Sequence, residues 1–313
     1  MTALGDPALP KAALLAELIA DSFYGEGFDL SAREEAAAGT WSEMPEVQAV
    51  RLLRDWDASD STVRLFLTFT SAVDRMRDAN LLWRAAATLY QSRPDVFEPN
   101  QVARMPMSTR RELLSSTGVS RFHTYDSDAW KRIAVSLAKE RGPTRRVIFE
   151  GMGDAEELMD DVRSKRDGKD RFPQLRGLKI APMWVRIMAA PGGATISNIE
   201  AIPVAVDVQV RRVTENLGVT NTQGLPLRGC KDLIQKAWQE AVSAAHFGGP
   251  SQIRGTSAAL DPALWLFGAR GCSFCEKQHD RIPISTVCDS CQYSPIRKQR
   301  IVPQESLDVG NRM

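Results

Sequence analysis

The sequence predicts a mainly α-helical fold, and three observations carry that prediction. Apolar residues recur at helical spacing through most of the chain, as with Leu14, Leu15, Leu18, Ile19 and Phe23. Helix breakers fall between such segments, at Pro94, Pro99, Pro106 and Gly142-Pro143. Extended character is confined to residues 193–206, through Ala194-Thr195-Ile196 and residues 202–206, where a small strand pair fits. A chain of 313 residues with 43% hydrophobic content buries a real core, as one large domain or two lobes.

Taken in order, residues 11–23 form a first helix, followed by a polar, acidic stretch to about Glu46. Residues 47–90 read as helical, centred on Leu65-Phe66-Leu67-Thr68-Phe69. Ser108-Thr109-Arg110-Arg111-Glu112 reads as a cap followed by a short helix. Further helices span residues 129–141 and 154–163, and residues 164–170 form a charged linker. The expected organisation is an N-terminal helical extension (1–61), a helical lobe (62–170), a second lobe (171–259) and a cysteine-bearing tail (260–313). There is no internal repeat and no low-complexity tract.

Lys+Arg 40 against Asp+Glu 39 leaves a formal net charge of +1, which excludes a globally basic nucleic-acid protein. Any surface for a polyanion must be local. Residues 163–186 and the cluster Arg297-Lys298-Gln299-Arg300 are the candidates, although each also reads as an ordinary solvated surface. No apolar run reaches transmembrane length and the N-terminus lacks a signal pattern, so a cytoplasmic protein is expected.

Residues 172–218 are the most informative part of the chain. Two helical patterns are separated by Leu175-Arg176-Gly177-Leu178-Lys179-Ile180-Ala181. Gly177 permits a tight, even left-handed turn. A turn feeding straight into a helix leaves backbone N–H groups free for a phosphate, and Lys179 adds positive charge there. Asp207 follows the apolar run Ala201-Ile202-Pro203-Val204-Ala205-Val206 and opens another helix, ahead of Arg211, Arg212 and Gly218. The helix dipole favours its ionised form by about 0.3–1 kcal/mol. Asp is also a favoured N-cap, and capping is compatible with catalysis.

The second signal is Cys272-Ser273-Phe274-Cys275, then twelve residues, then Cys288-Asp289-Ser290-Cys291. Disulfides rarely persist in the cytoplasm, so two such pairs read as a metal site. Four thiolates suit structural zinc or an iron–sulfur cluster. Either would pin a loop carrying Lys277, His279 and Arg281. Cys230 stands alone in a helical pattern as a buried small hydrophobe.

Together these segments resemble the helix-hairpin-helix DNA glycosylase superfamily, of endonuclease III-like type. There the hairpin reads "LPGVG" and the acid sits in "VDTHV"; here they are LRGLK and VDVQV. Residues 260–272 resemble the family helix ending "HGRxxC", which leads into a [4Fe-4S] loop, although the family's Cys-x6-Cys-x2-Cys-x5-Cys spacing is not kept. The resemblance therefore favours a [4Fe-4S] cluster, with zinc as the alternative. Residues 69–74 occupy the place of the DNA-facing "LLSAQTTD" helix, without its Gln and Thr. Arg75, Met76 and Arg77 then either line the groove or form a solvated helix face.

The resemblance spans roughly residues 62–291 and implies a two-lobed helical fold with a four-cysteine metal loop. It implies a monomeric DNA N-glycosylase that flips a damaged or modified base out of double-stranded DNA and excises it. Asp207 would stabilise the cationic sugar or direct water onto it. Gly177, Lys179, Arg211, Arg212 and Lys277 would meet the DNA. Aligned through Gly177, Ala181 stands where bifunctional members carry their lysine, which implies a monofunctional enzyme that leaves an abasic site. An insertion around Pro191-Gly192-Gly193-Ala194 would reshape the pocket. Phe69, Trp83, Phe122, Tyr125 and Trp130 either stack on the flipped base or belong to the core. The alternative is a non-enzymatic DNA-binding reader of damaged or modified DNA; a zinc-ribbon interaction protein leaves the hairpin and Asp207 unexplained.

Overall fold

The computed structural model describes residues 9–25, 39–222 and 224–272, and these form thirteen α-helices with four very short strands. Helix α1 (Leu9–Tyr24) buries Leu15, Ile19 and Phe23 on one face, as its spacing predicts. The run expected over residues 47–90 divides into α2 (Pro45–Asp55), α3 (Asp60–Ser71) and α4 (Ala79–Ser92). Its breaks have local causes. Asp57 takes a left-handed φ of 56°, and the Ser59 side chain then caps α3 by accepting from the Thr62 N–H. Residues 72–78 form a turn in which Met76 takes a φ of 52°, and Asp78 caps α4.

Three helices follow: α5 (Pro99–Arg104), α6 (Met107–Ser116) and α7 (His123–Lys139). The expected cap at Ser108 is corrected: α6 starts behind Pro106 with no side-chain cap, and Ser108 already lies in the first turn. Next come α8 (Pro143–Glu150), β1 (Met152–Asp154) and α9 (Ala155–Arg163), the last capped by Asp154. The expected linker is a tight hairpin in which β2 (Lys165–Arg166) pairs antiparallel with β3 (Lys169–Asp170). Asp167 and Gly168, both at positive φ, make the turn that such a hairpin favours.

The remaining helices are α10 (Ile180–Ala189), α11 (Val208–Asn216), α12 (Leu227–Ser243) and α13 (Ser257–Leu266), and α13 runs into a π-helical turn, Phe267–Cys272. Between α10 and α11, β4 (Thr195–Ser197) pairs in parallel with β1. Its partner is therefore not residues 202–206, which carry no regular structure.

One hydrophobic cluster runs from Ala12 to Cys272. Helix α1 packs on α12 and α13, where the Tyr24 hydroxyl donates to the Ala259 carbonyl at 2.7 Å. At the other end α3 is buried from Val63 to Ser71 and packs on α4, α8 and α10. Phe69 stacks on Trp130 with centroids 5.0 Å apart, and Phe66 lies 5.2 Å from Phe97. Phe69 and Trp130 are thus core residues, and removing such a ring costs about 3–5 kcal/mol.

Candidate functional site

The site is built where the turn before α10, the turn after α3 and the start of α11 converge. Residues 172–179 are turns, so the helix expected upstream of Gly177 is absent from this segment. Gln174, with φ 71°, takes the left-handed position expected of Gly177. A Cβ at Gly177 would meet nothing within 4 Å, so its value is a bare backbone tip rather than a backbone conformation. Beside it Leu178 is 42% exposed, and the Gly177 carbonyl accepts the Ala181 N–H as α10 begins.

Asp207 is the N-cap of α11. Its Oδ1 accepts from the Gln209 N–H at 2.8 Å and the Val210 N–H at 3.1 Å. Its Oδ2 lies 3.9 Å from Nζ of Lys179, and the same Nζ lies 3.8 Å from Oδ2 of Asp74. One ammonium therefore stands between two carboxylates from different parts of the chain. Burial pushes the Asp74 carboxyl up from its ordinary pKa; Lys179 opposes this, while Glu46 and Asp207 add to it. Lys231 on α12 is a second cation near this group. Burial lowers its pKa, as does the charge of Lys179, while Asp207 opposes the change.

Asp74, Lys179 and Asp207 line a cavity of about 730 Å³, together with residues that include Met76, Trp83 and Arg186. Arg186, 4% exposed, lies at its floor between Glu46 at 2.9 Å and Asp261 at 3.3 Å. Burial alone would lower the Arg186 pKa, but the two carboxylates more than offset it. Burial raises Asp261, against the pull of Arg186 and of the Ala205 N–H. This triad joins α2, α10 and α13 to the segment that ends at Asp207. Gly268 completes the support: a Cβ there would run into the Gln209 backbone, so only glycine lets the π-helical turn reach the first turn of α11.

Other expected residues lie elsewhere. Ala181 is fully buried and does not line the cavity, whereas Lys179, two residues earlier, does. The cavity lining also lacks residues 191–194, which fold back on the end of α10, where Arg64 donates to the Gly192 carbonyl. Arg211 is bound to Glu215 at 2.8 Å and to the Thr222 carbonyl at 3.2 Å, and Arg212 to Gln209. Much of the basic stretch 163–186 is neutralised internally, with Arg171 on Glu140 and Asp161, and Arg176 on Asp170. Residues 75–77 are not a helix face. Met76 is 73% exposed at the cavity mouth, and the Arg75 guanidinium lies over the Phe122 and Tyr125 rings at 4.4 and 5.0 Å.

Cys272 is buried at the end of the π-helical turn, while Cys275, Cys288, Cys291 and Lys277 lie outside the described residues. Among the described residues no three His, Cys, Asp or Glu side chains are grouped as a metal site, and no helix is long and apolar enough to cross a membrane.

Sequence reasoning missed Glu46, Arg186, Asp261 and Lys231, and used Asp74 only as part of a motif. Arg186 had a readable signal, since a charge inside Met183-Trp184-Val185-Arg186-Ile187-Met188 must find a buried counter-ion. No family model and no curated protein matches the chain.

Proposed function

We propose that the protein is a DNA N-glycosylase that takes a modified base into the cavity beside Asp207 and hydrolyses its glycosidic bond, leaving an abasic site. The observation that carries this is the division of labour at Asp207. Oδ1 is fixed by two backbone N–H groups, while Oδ2 lies 3.9 Å from Lys179 Nζ, and both residues line a cavity of about 730 Å³. A nucleobase and its sugar fit that space. A carboxylate held there without further reorganisation stabilises the cation that forms as the base departs. The bare Gly177 tip, with Lys179 behind it, offers backbone N–H groups and charge to a phosphate of the flipped nucleotide.

The finer reading of the fold belongs to the same proposal: a two-lobed helix-hairpin-helix enzyme whose hairpin is reduced to a turn, acting as a monomer on double-stranded DNA. The donor set Cys272, Cys275, Cys288 and Cys291 fits a [4Fe-4S] cluster, with zinc as the alternative. Such a group would brace the chain after the π-helical turn, which packs on α11. Lys179 lies within 4 Å of both carboxylates, and an ammonium held against the Asp207 carboxylate is not a nucleophile, which supports base release without strand cleavage.

The test is mass spectrometry of free bases released from a panel of damaged and naturally modified DNAs, phage genomes included. Release of one modified base is expected. Tight binding to such DNA without release of any base makes the protein a reader rather than an enzyme.

A further inference from the structure

Two carboxylates that line one cavity both lie within 4 Å of the Lys179 ammonium, and their surroundings differ. Asp207 is met by two N–H donors, whereas Asp74, 8% exposed, has Lys179 at 3.8 Å, beyond hydrogen-bond reach. Asp74 sits in the turn after α3, beside the exposed Met76 at the cavity mouth. Asp207 comes from the start of α11. Paired carboxyl groups in unlike environments divide acid and base roles between them.

We propose that Asp74 is the general acid that protonates the departing base, while Asp207 serves the sugar. This rests on the glycosylase reading above and extends it to the leaving group. As the C1′–N bond breaks, its electron pair passes to the base. The Asp74 carboxyl proton moves onto the ring atom that receives that charge. Water then adds to C1′ and loses a proton to Asp207. Asp207 then loses its proton to water and Asp74 regains one from water, with Lys179 remaining an ammonium within 4 Å of both, which restores the starting state. The sum is one water consumed, one neutral base released and one sugar hydroxyl formed.

The electrostatics agree. Burial holds Asp74 toward its neutral, proton-bearing form; Glu46 on α2 and Asp207 on α11 act in the same direction, against Lys179 and Arg77. The other charged groups lining the cavity are Glu43, Arg75, Asp78, Arg186 and Asp261. General acids of this kind contribute about 10²–10⁴-fold to rate.

The experiment compares wild type, Asp74→Asn and Asp207→Asn on synthetic duplexes. These carry either the base the wild type releases or its ring-halogenated analogue, which leaves with less need of a proton. Asp74→Asn should lose about 10²–10⁴-fold on the parent base and less than about tenfold on the analogue. Asp207→Asn should lose activity on both. The wild-type rate should fall as pH rises through the Asp74 pKa, and that limb should vanish in Asp74→Asn. In Lys179→Met, where the largest opposing charge is gone, the limb should move to higher pH whatever the absolute rate. Asp74→Asn acting on the parent base within about threefold of wild type, or a limb unmoved by Lys179→Met, overturns the proposal. A wild type that releases no base from any DNA overturns the glycosylase reading itself, and this assignment with it.

Discussion

The Oδ1 atom of Asp261 accepts the Ala205 N–H at 2.6 Å, which ties α13 to the chain two residues before Asp207. Asp261 also balances Arg186, which balances Glu46, so the placement of Asp207 depends on a buried ion triad. Removing one member leaves an uncompensated charge in the interior. Asp261→Ala should destabilise the fold by about 3–5 kcal/mol, read as a lower urea midpoint. Replacing all three members with apolar residues of similar volume should cost much less. A near-neutral Asp261→Ala would show that the triad is solvated.

Asp74 bears on stability with the opposite sign. Its folded pKa is raised above the unfolded value, so its contribution is fully present below the unfolded pKa. That contribution is lost as pH rises through the folded pKa, because the charged form is desolvated. Asp74→Asn should therefore raise the urea midpoint at neutral pH and leave it little changed at acid pH. A lower midpoint at neutral pH would mean that the ion pair with Lys179 outweighs burial.

The helical class and most helix positions were legible in the sequence, because periodicity and capping are local properties. Asp154 and Asp207 announce their helices by residue type, and both cap them. The segment around Gly177 was less legible: the pattern before it resembles a helix, yet Gln174 at positive φ turns the chain. The cavity was barely legible. Glu46, Arg186 and Asp261 are far apart in sequence, and only packing of α2, α10 and α13 unites them, while Asp74 joins the cavity from the turn after α3.

Asp207→Asn retains a capping acceptor, so the fold should hold while base release is lost. Asp207→Ala should in addition cost about 0.5–2 kcal/mol in stability, since α11 then loses its cap. Release by Asp207→Asn at near wild-type rate would remove Asp207 from the chemistry.

Gly177→Ala separates fold from binding. The added methyl meets no protein atom and the φ is not left-handed, so stability should stay within about 0.5 kcal/mol of wild type. A phosphate drawn against the backbone would meet that methyl, so affinity for duplex DNA should fall. Unchanged affinity would place the DNA elsewhere.

The product provides the last prediction. Ala181 is buried and cannot form an imine, and the Lys179 ammonium is held within 4 Å of the Asp207 carboxylate. The abasic strand should therefore stay intact until alkali or heat is applied, and borohydride should trap no protein–DNA adduct. Lys231 is the stronger rival amine on electrostatic grounds, because burial and the neighbouring Lys179 lower its pKa. Lys277, outside the described residues, is the third. Lys179→Met, Lys231→Met and Lys277→Met should each leave the intact abasic product unchanged. Efficient trapping that one of these substitutions abolishes would identify the nucleophile, and the enzyme would then be a lyase as well as a glycosylase.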